Sequence, residues 1–356
     1  MTVTSFATKD TDNLFSCFPI LLSGFILFRT EKTEKPQPVP HQRQGSQPSM
    51  QGEIDQLLVL SSAVNAMALE VVSTSPLPKK LPAAQAKRLR YADDLTFVDL
   101  YEKSDNSLKE QIRFTKLSDW LDDLRHRKVS AAWLVRQPRE QTDTDTTNTD
   151  GYHPPEHMQM AFAGGTKSWS LITSGPGFTE EWKTDWQLNG KGKHDPNKHA
   201  PDKHNRGQEK QEPPVWQVRY GCIRKTDRET PRPAVNLAQE TVRLEKILQE
   251  IAILAGRLGY DNWPAVFAKA LDALVGKPGT SLHPNLRPPY YAAYPKEAHR
   301  LLAAAYNGWV FGGMGSWNDV VFSTLEDQAT YDRLTPELYQ AICHAIVGIS
   351  CSFRKQ

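Results

Sequence analysis

Val215-Trp216-Gln217-Val218-Arg219-Tyr220-Gly221-Cys222-Ile223-Arg224 places Trp216, Val218, Tyr220 and Cys222 on one side of an extended chain and Gln217, Arg219 and Gly221 on the other. That period of two marks a half-buried strand. Shortly afterwards the period changes. Leu244, Ile247, Leu248, Ile251, Leu254 and Leu258 recur at helical spacing, behind an Asn236/Gln239 pair with the spacing of a capping box. Strands come first and helices follow, so the switch sets the class as α+β. The expected architecture is a central antiparallel β-sheet (a meander), with an N-terminal helix and a C-terminal layer of about four helices.

Working back from that strand, Glu181 to Leu188, Trp169 to Thr173, Met158 to Phe162 and Ala131 to Arg136 read as further strands with short turns. Leu117, Trp120, Leu121 and Leu124 form one face of a short helix over 115–128, whose closing Arg125, His126, Arg127 and Lys128 complement the helix dipole. Leu95 to Leu100 alternates as a strand, with Asp93 and Asp94 at its solvent edge. Tyr91-Ala92-Asp93-Asp94 resembles the catalytic hairpin of reverse transcriptases over those four residues only. Polymerase chemistry needs a third carboxylate on an earlier strand and a large region upstream. Only one helix and a proline-rich link stand there, so the strand reading is kept. The β-rich part thus runs over about 91–224 and the helical part over about 236–350, within a single domain of residues 50–356.

Two segments stand outside this pattern. In residues 1–49, the apolar run from Leu14 to Phe28 would span about 22 Å as a helix, short of the ~30 Å hydrocarbon core. A polar stretch rich in Pro and Gln follows it, so 1–49 is expected as a disordered leader, with Met50 as the natural start. A membrane role would fall to residues 14–28 as an anchor. The insert from Gly190 to Pro214 carries His194, His199 and His204 but almost nothing apolar. A period of five matches neither a helix face nor a strand face, so a disordered loop is expected rather than a metal site. His153 and His157 flank Pro154 and Pro155 with no third ligand suggested nearby, which favours a loop over a zinc site.

In the helical part, Ile54, Leu57, Leu58, Ser61 and Ala68 give the N-terminal helix its stripe. Asn262 and Pro264 open the helix after the long one, and Gly276 stops it. Thr335-Pro336 is expected to cap the last helix. Before it comes the least ordinary stretch of the chain, Trp309-Val310-Phe311-Gly312-Gly313-Met314-Gly315-Ser316-Trp317-Asn318-Asp319. Leu302, Ala305, Tyr306 and Trp309 lead into it on one helix face, and Gly312-Gly313 offers the left-handed conformation that ends helices. One reading is a tight structural corner with Phe311 and Trp317 in the core. The other is a ligand loop in which Gly313 and Gly315 present N–H groups to an anion, with Asn318 or Asp319 as a polar contact.

Composition narrows the function classes. The 356 residues carry 43 Lys and Arg against 41 Asp and Glu, a net +2, which gives no case for a dedicated nucleic-acid binder. Cys17, Cys222, Cys343 and Cys351 form no Cys-x-x-Cys pair and read as free thiols in a cytoplasmic protein. No P-loop, nucleophile elbow or metal signature is present, and no cofactor is implied. The nine tryptophans favour a non-catalytic binding or interaction protein of bacterial type. It would recognise a protein partner or small ligand on the tryptophan-rich sheet or beside Trp309, Gly312, Gly313, Gly315, Ser316, Trp317, Asn318 and Asp319. The alternative is an enzyme with a site between sheet and helices near that corner, built from Ser316, Asn318, Asp319 and His299.

Overall fold

Every residue from Gln56 to Ala68 is buried, so the first helix, α1 (Glu53–Glu70), is covered on all sides. A helix with apolar residues all round is a core helix. Its polar side chains are therefore obliged to find partners inside the protein. Glu53 accepts from Thr184 Oγ1 at 2.6 Å and Gln56 from the Tyr220 hydroxyl at 3.0 Å, both on the sheet. Asp55 accepts from the Tyr306 hydroxyl in the helical layer, and Ser62 donates to the Pro289 carbonyl. The stripe read from Ile54 to Ala68 is real, but it is one face of an element that has no solvent face.

The computed structural model describes residues 52–70, 95–102, 108–137, 154–160, 168–189, 215–259, 262–312 and 315–353. All belong to one compact unit, Gln47–Gln356. The leader, Tyr91 to Asp94, His153, the 190–214 insert and Gly313 lie outside the described residues. The strands are β1 (Leu95–Glu102), β2 (Leu108–Phe114), β3 (Ala131–Arg136), β4 (Trp169–Gly175), β5 (Phe178–Asn189) and β6 (Val215–Thr226). Their order is β2-β1-β6-β5-β4-β3. β3 to β6 form the expected antiparallel meander. β1 then pairs with β6 in parallel, which makes the sheet mixed, and β2 closes it as the partner of β1. A parallel pair demands a long crossover, so no local turn signal could announce it.

Helix α2 (Leu117–His126) is clamped to the sheet by aromatic rings. Phe97 stacks on Trp120 at 4.4 Å and on Tyr220 at 5.2 Å, and Trp182 meets Phe97 edge-on at 5.8 Å. The basic end of α2 does more than complement the dipole. Arg127 reaches the buried carboxylate of Glu180 at 2.8 Å, and Arg113 of β2 reaches it at 3.0 Å.

The helical layer consists of α4 (Leu237–Gly256), α5 (Asn262–Val275), α6 (Lys296–Asn307) and α7 (Leu325–Cys351), the number expected. Asn236 caps α4 by accepting from Gln239 N, and Gly276 stops α5 at a φ of 75°. Three local expectations are corrected. The chain at Met158 is helical, not a strand: α3 (Glu156–Gln159) is a single turn with Pro155 at its N-cap. α6 ends at Gly308, before Trp309, so Gly312-Gly313 does not terminate it. Thr335-Pro336 does not cap α7. Thr324 does, accepting from Asp327 N, and the helix continues through Pro336. Burial of Leu334, Thr335 and Leu338 outweighs the backbone bond that the proline removes.

Candidate functional site

The described residues of the stretch from Trp309 to Asp319 hold one another by hydrogen bonds. Trp317 N donates to the Val310 carbonyl at 3.1 Å, closing the corner. The Ser316 hydroxyl donates to the Gly312 carbonyl at 3.1 Å and accepts from Asn318 N at 3.3 Å. The Gly315 N–H, which an anion would have needed, donates instead to Asp319 Oδ2 at 2.5 Å. The Trp317 indole is fully buried, where it donates to Thr335 Oγ1 at 3.0 Å and lies edge-on to Phe267 at 5.1 Å. Trp309 and Phe311 are buried beside Tyr339. The corner anchors the start of α7 to the core.

Trp120, Trp133, Trp169 and Trp182 are likewise core residues, while Trp186 and Trp263 are half-buried. The described tryptophans supply packing, and these four show no aromatic face to solvent.

His299 is not part of the corner. It lies near the start of α6, about 12 Å of helix from Asn307. Its Nε2 lies 2.7 Å from the Tyr291 carbonyl, and the Tyr291 hydroxyl donates back to the His299 carbonyl at 3.2 Å. The two rings stack at 3.9 Å. Because a carbonyl only accepts, Nε2 is the donor in this contact. Burial pushes the Tyr291 hydroxyl up to about 12, so it remains a neutral donor.

This pair forms one wall of a cleft of about 460 Å³ between the end of α5, the loop that follows it and the start of α6. Lys277, Arg287 and Arg300 line the cleft with His299, Tyr291 and Ser281, and no carboxylate lines it. Lys277 follows the α5 stop and pairs with Asp272 at 2.6 Å. Arg287 is held by its Nε, which donates to the Leu282 carbonyl at 3.0 Å, and its guanidinium lies 5.4 Å from the Tyr291 ring centre. Arg300 makes no ion pair among the described residues. Its side chain runs across Gly276, where a Cβ would stand 2.8 Å from Arg300 Nε. The glycine that stops α5 thus also makes room for this arginine. Of the candidate site residues read from the sequence, only His299 belongs to the cleft. Its three cations follow no motif, because two come from separate points of the connection after α5 and the third from α6.

A second polar cluster lies where β3 ends beside the corner. The Arg136 side chain, 6% exposed, pairs with Glu156, donates to Gln340 and lies 5.3 Å from the Tyr339 ring centre. The Asn318 amide donates to the His157 carbonyl at 3.2 Å. Burial lowers the His157 pKa and keeps that imidazole neutral. These contacts tie α3 and β3 to α7 and the corner. Among the described residues no group of three or more His, Cys, Asp or Glu is placed to hold a metal ion. Burial also pushes the Cys222 and Cys343 thiols up to about 12, so neither is a nucleophile near neutral pH. Among the described residues no helix is long and apolar enough to cross a membrane. No family model, no curated protein and no solved structure matches this chain.

Proposed function

We propose that this is a non-catalytic binding protein that takes a small anionic ligand in the cleft between α5 and α6. The observation that carries the reading is the set of three cations around one concave space with no acidic side chain in its lining. Like charges converging in a cleft raise the local concentration of counter-charged ligands. The catalytic alternative has less support. Ser316 and Asp319 bond within the corner, and His299 stands in another part of the fold. A cytoplasmic location belongs to the same reading, supported by three buried, unpaired thiols.

The test is a thermal-shift panel at constant ionic strength with chloride, acetate, citrate, sulfate and phosphate. At least one multivalent anion is expected to raise the Tm of the wild type and to leave an Arg287→Ala/Arg300→Ala variant unmoved. If no anion shifts the wild type, or the double variant shifts equally, the cleft is not a ligand site.

A further inference from the structure

We infer that the cleft is built for the phosphate group of a small, non-aromatic phosphate monoester. The inference rests on the anion-binding reading above and narrows it. Charge comes first. Lys277 already has the Asp272 carboxylate beside it, so the surplus is carried by Arg287 and Arg300. Two uncompensated cations match a dianion, and a phosphate monoester carries about −1.5 to −2 at pH 7.

Direction comes second. A planar carboxylate is best met by one guanidinium fork aligned with it. Here the donors arrive from separate elements. Lys277 comes from the α5 terminus, Arg287 from the loop, and Arg300 from α6. Arg287 has already committed Nε to the Leu282 carbonyl and offers only its terminal nitrogens. Ser281 adds a hydroxyl that has no partner among the described residues, whereas the Thr280 hydroxyl is occupied by the Lys277 carbonyl. Donors spread around a space suit a tetrahedral group with several acceptor oxygens.

The third element is the rest of the ligand. The cleft, at about 460 Å³, falls in the range of small-molecule sites, so an ester fits better than a bare ion. Its apolar wall is made by Ala273, Ala292 and Ala303. The two aromatic rings in the lining, Tyr291 and His299, stack on each other, and the Arg287 guanidinium lies 5.4 Å from the Tyr291 ring centre. Each ring covers one face of the other and Arg287 lies over Tyr291, which favours an aliphatic or sugar-like organic part over a stacked base or aryl group.

Calorimetric titration of the full chain with glycerol 3-phosphate, phenyl phosphate, methyl sulfate, succinate and acetate tests this. Glycerol 3-phosphate is expected to bind at least tenfold more tightly than succinate, a dianion of two planar carboxylates, and than methyl sulfate, a monoanion with a tetrahedral head. Phenyl phosphate is expected to bind more weakly than glycerol 3-phosphate. Arg300→Ala should weaken glycerol 3-phosphate at least tenfold, Arg300→Lys by less, and Asp319→Ala, at the distant corner, not at all. Equal binding of succinate would overturn the phosphate-ester assignment, tighter binding of phenyl phosphate would overturn its non-aromatic part, and either would leave anion binding standing. Silence from every anion would remove both.

Discussion

The side-chain amide of Asn65 closes both hydrogen-bonding positions of the Ala132 peptide: Oδ1 accepts from the Ala132 N–H at 2.8 Å, and Nδ2 donates to the Ala132 carbonyl at 2.7 Å. β3 is the last strand of its sheet, so these backbone groups face away from β4. An open edge invites pairing with another chain. Here the core helix α1 covers it, and Ser350 of α7 does the same for the next outward group by accepting from Leu134 N at 2.9 Å.

Asn65→Ala leaves the buried Ala132 N–H without a partner, leaves its carbonyl only the Ser61 hydroxyl at 3.3 Å, and also strips an acceptor from Arg232. The expected loss is about 2–4 kcal/mol in denaturant unfolding, with greater aggregation on heating. A loss below ~1 kcal/mol would mean that the edge is satisfied in another way.

Trp317 and Asp319 should separate cleanly. Trp317→Ala removes a fully buried ring and is expected to cost about 3–5 kcal/mol. Asp319 is exposed and holds one backbone N–H, so Asp319→Ala should cost less than ~1 kcal/mol. Thermal melts of the two variants decide whether the corner is architecture; a normal melt for Trp317→Ala would contradict it.

Pro336 sits inside α7 and leaves the turn before it without a backbone donor. Pro336→Ala restores that bond, while the unfolded chain gains some freedom. The net expectation is a gain of about 1–2 kcal/mol by denaturant titration. A decrease would show that the proline itself packs the Trp317–Thr335 contact into place.

Because burial lowers the folded-state pKa of His157, the unfolded chain takes up the proton first as pH falls. Stability is therefore full above the ordinary histidine value of about 6.5 and is lost as pH drops through it toward the lowered folded value. His344 has the same sign, from burial and then from Arg243. Stability measured from pH 7.5 down to 5 should fall less steeply in His157→Gln than in the wild type. An unchanged slope would show that His157 protonates without cost in the fold.

What the residues announced locally was one-sided burial. The Asn236 cap, the stripe from Leu244 to Leu254 and the alternation around Tyr220 each leave a period in the sequence, because water lies on one side and core on the other. From these the α+β class and the number of C-terminal helices follow. α1 could not be placed the same way. A helix buried all round has no polar face, and its position depends on partners as distant as Ala132, Tyr220 and Tyr306. The parallel seam between β1 and β6 has no local signal either, since it joins strands with most of the sheet between them in sequence. The persistence of α7 through Pro336 was decided by packing, which exceeded the lost backbone bond. The cleft is the extreme case. Lys277, Arg287 and Arg300 carry no shared spacing, and only the turn at Gly276 and the approach of α6 across it bring their charges into one space.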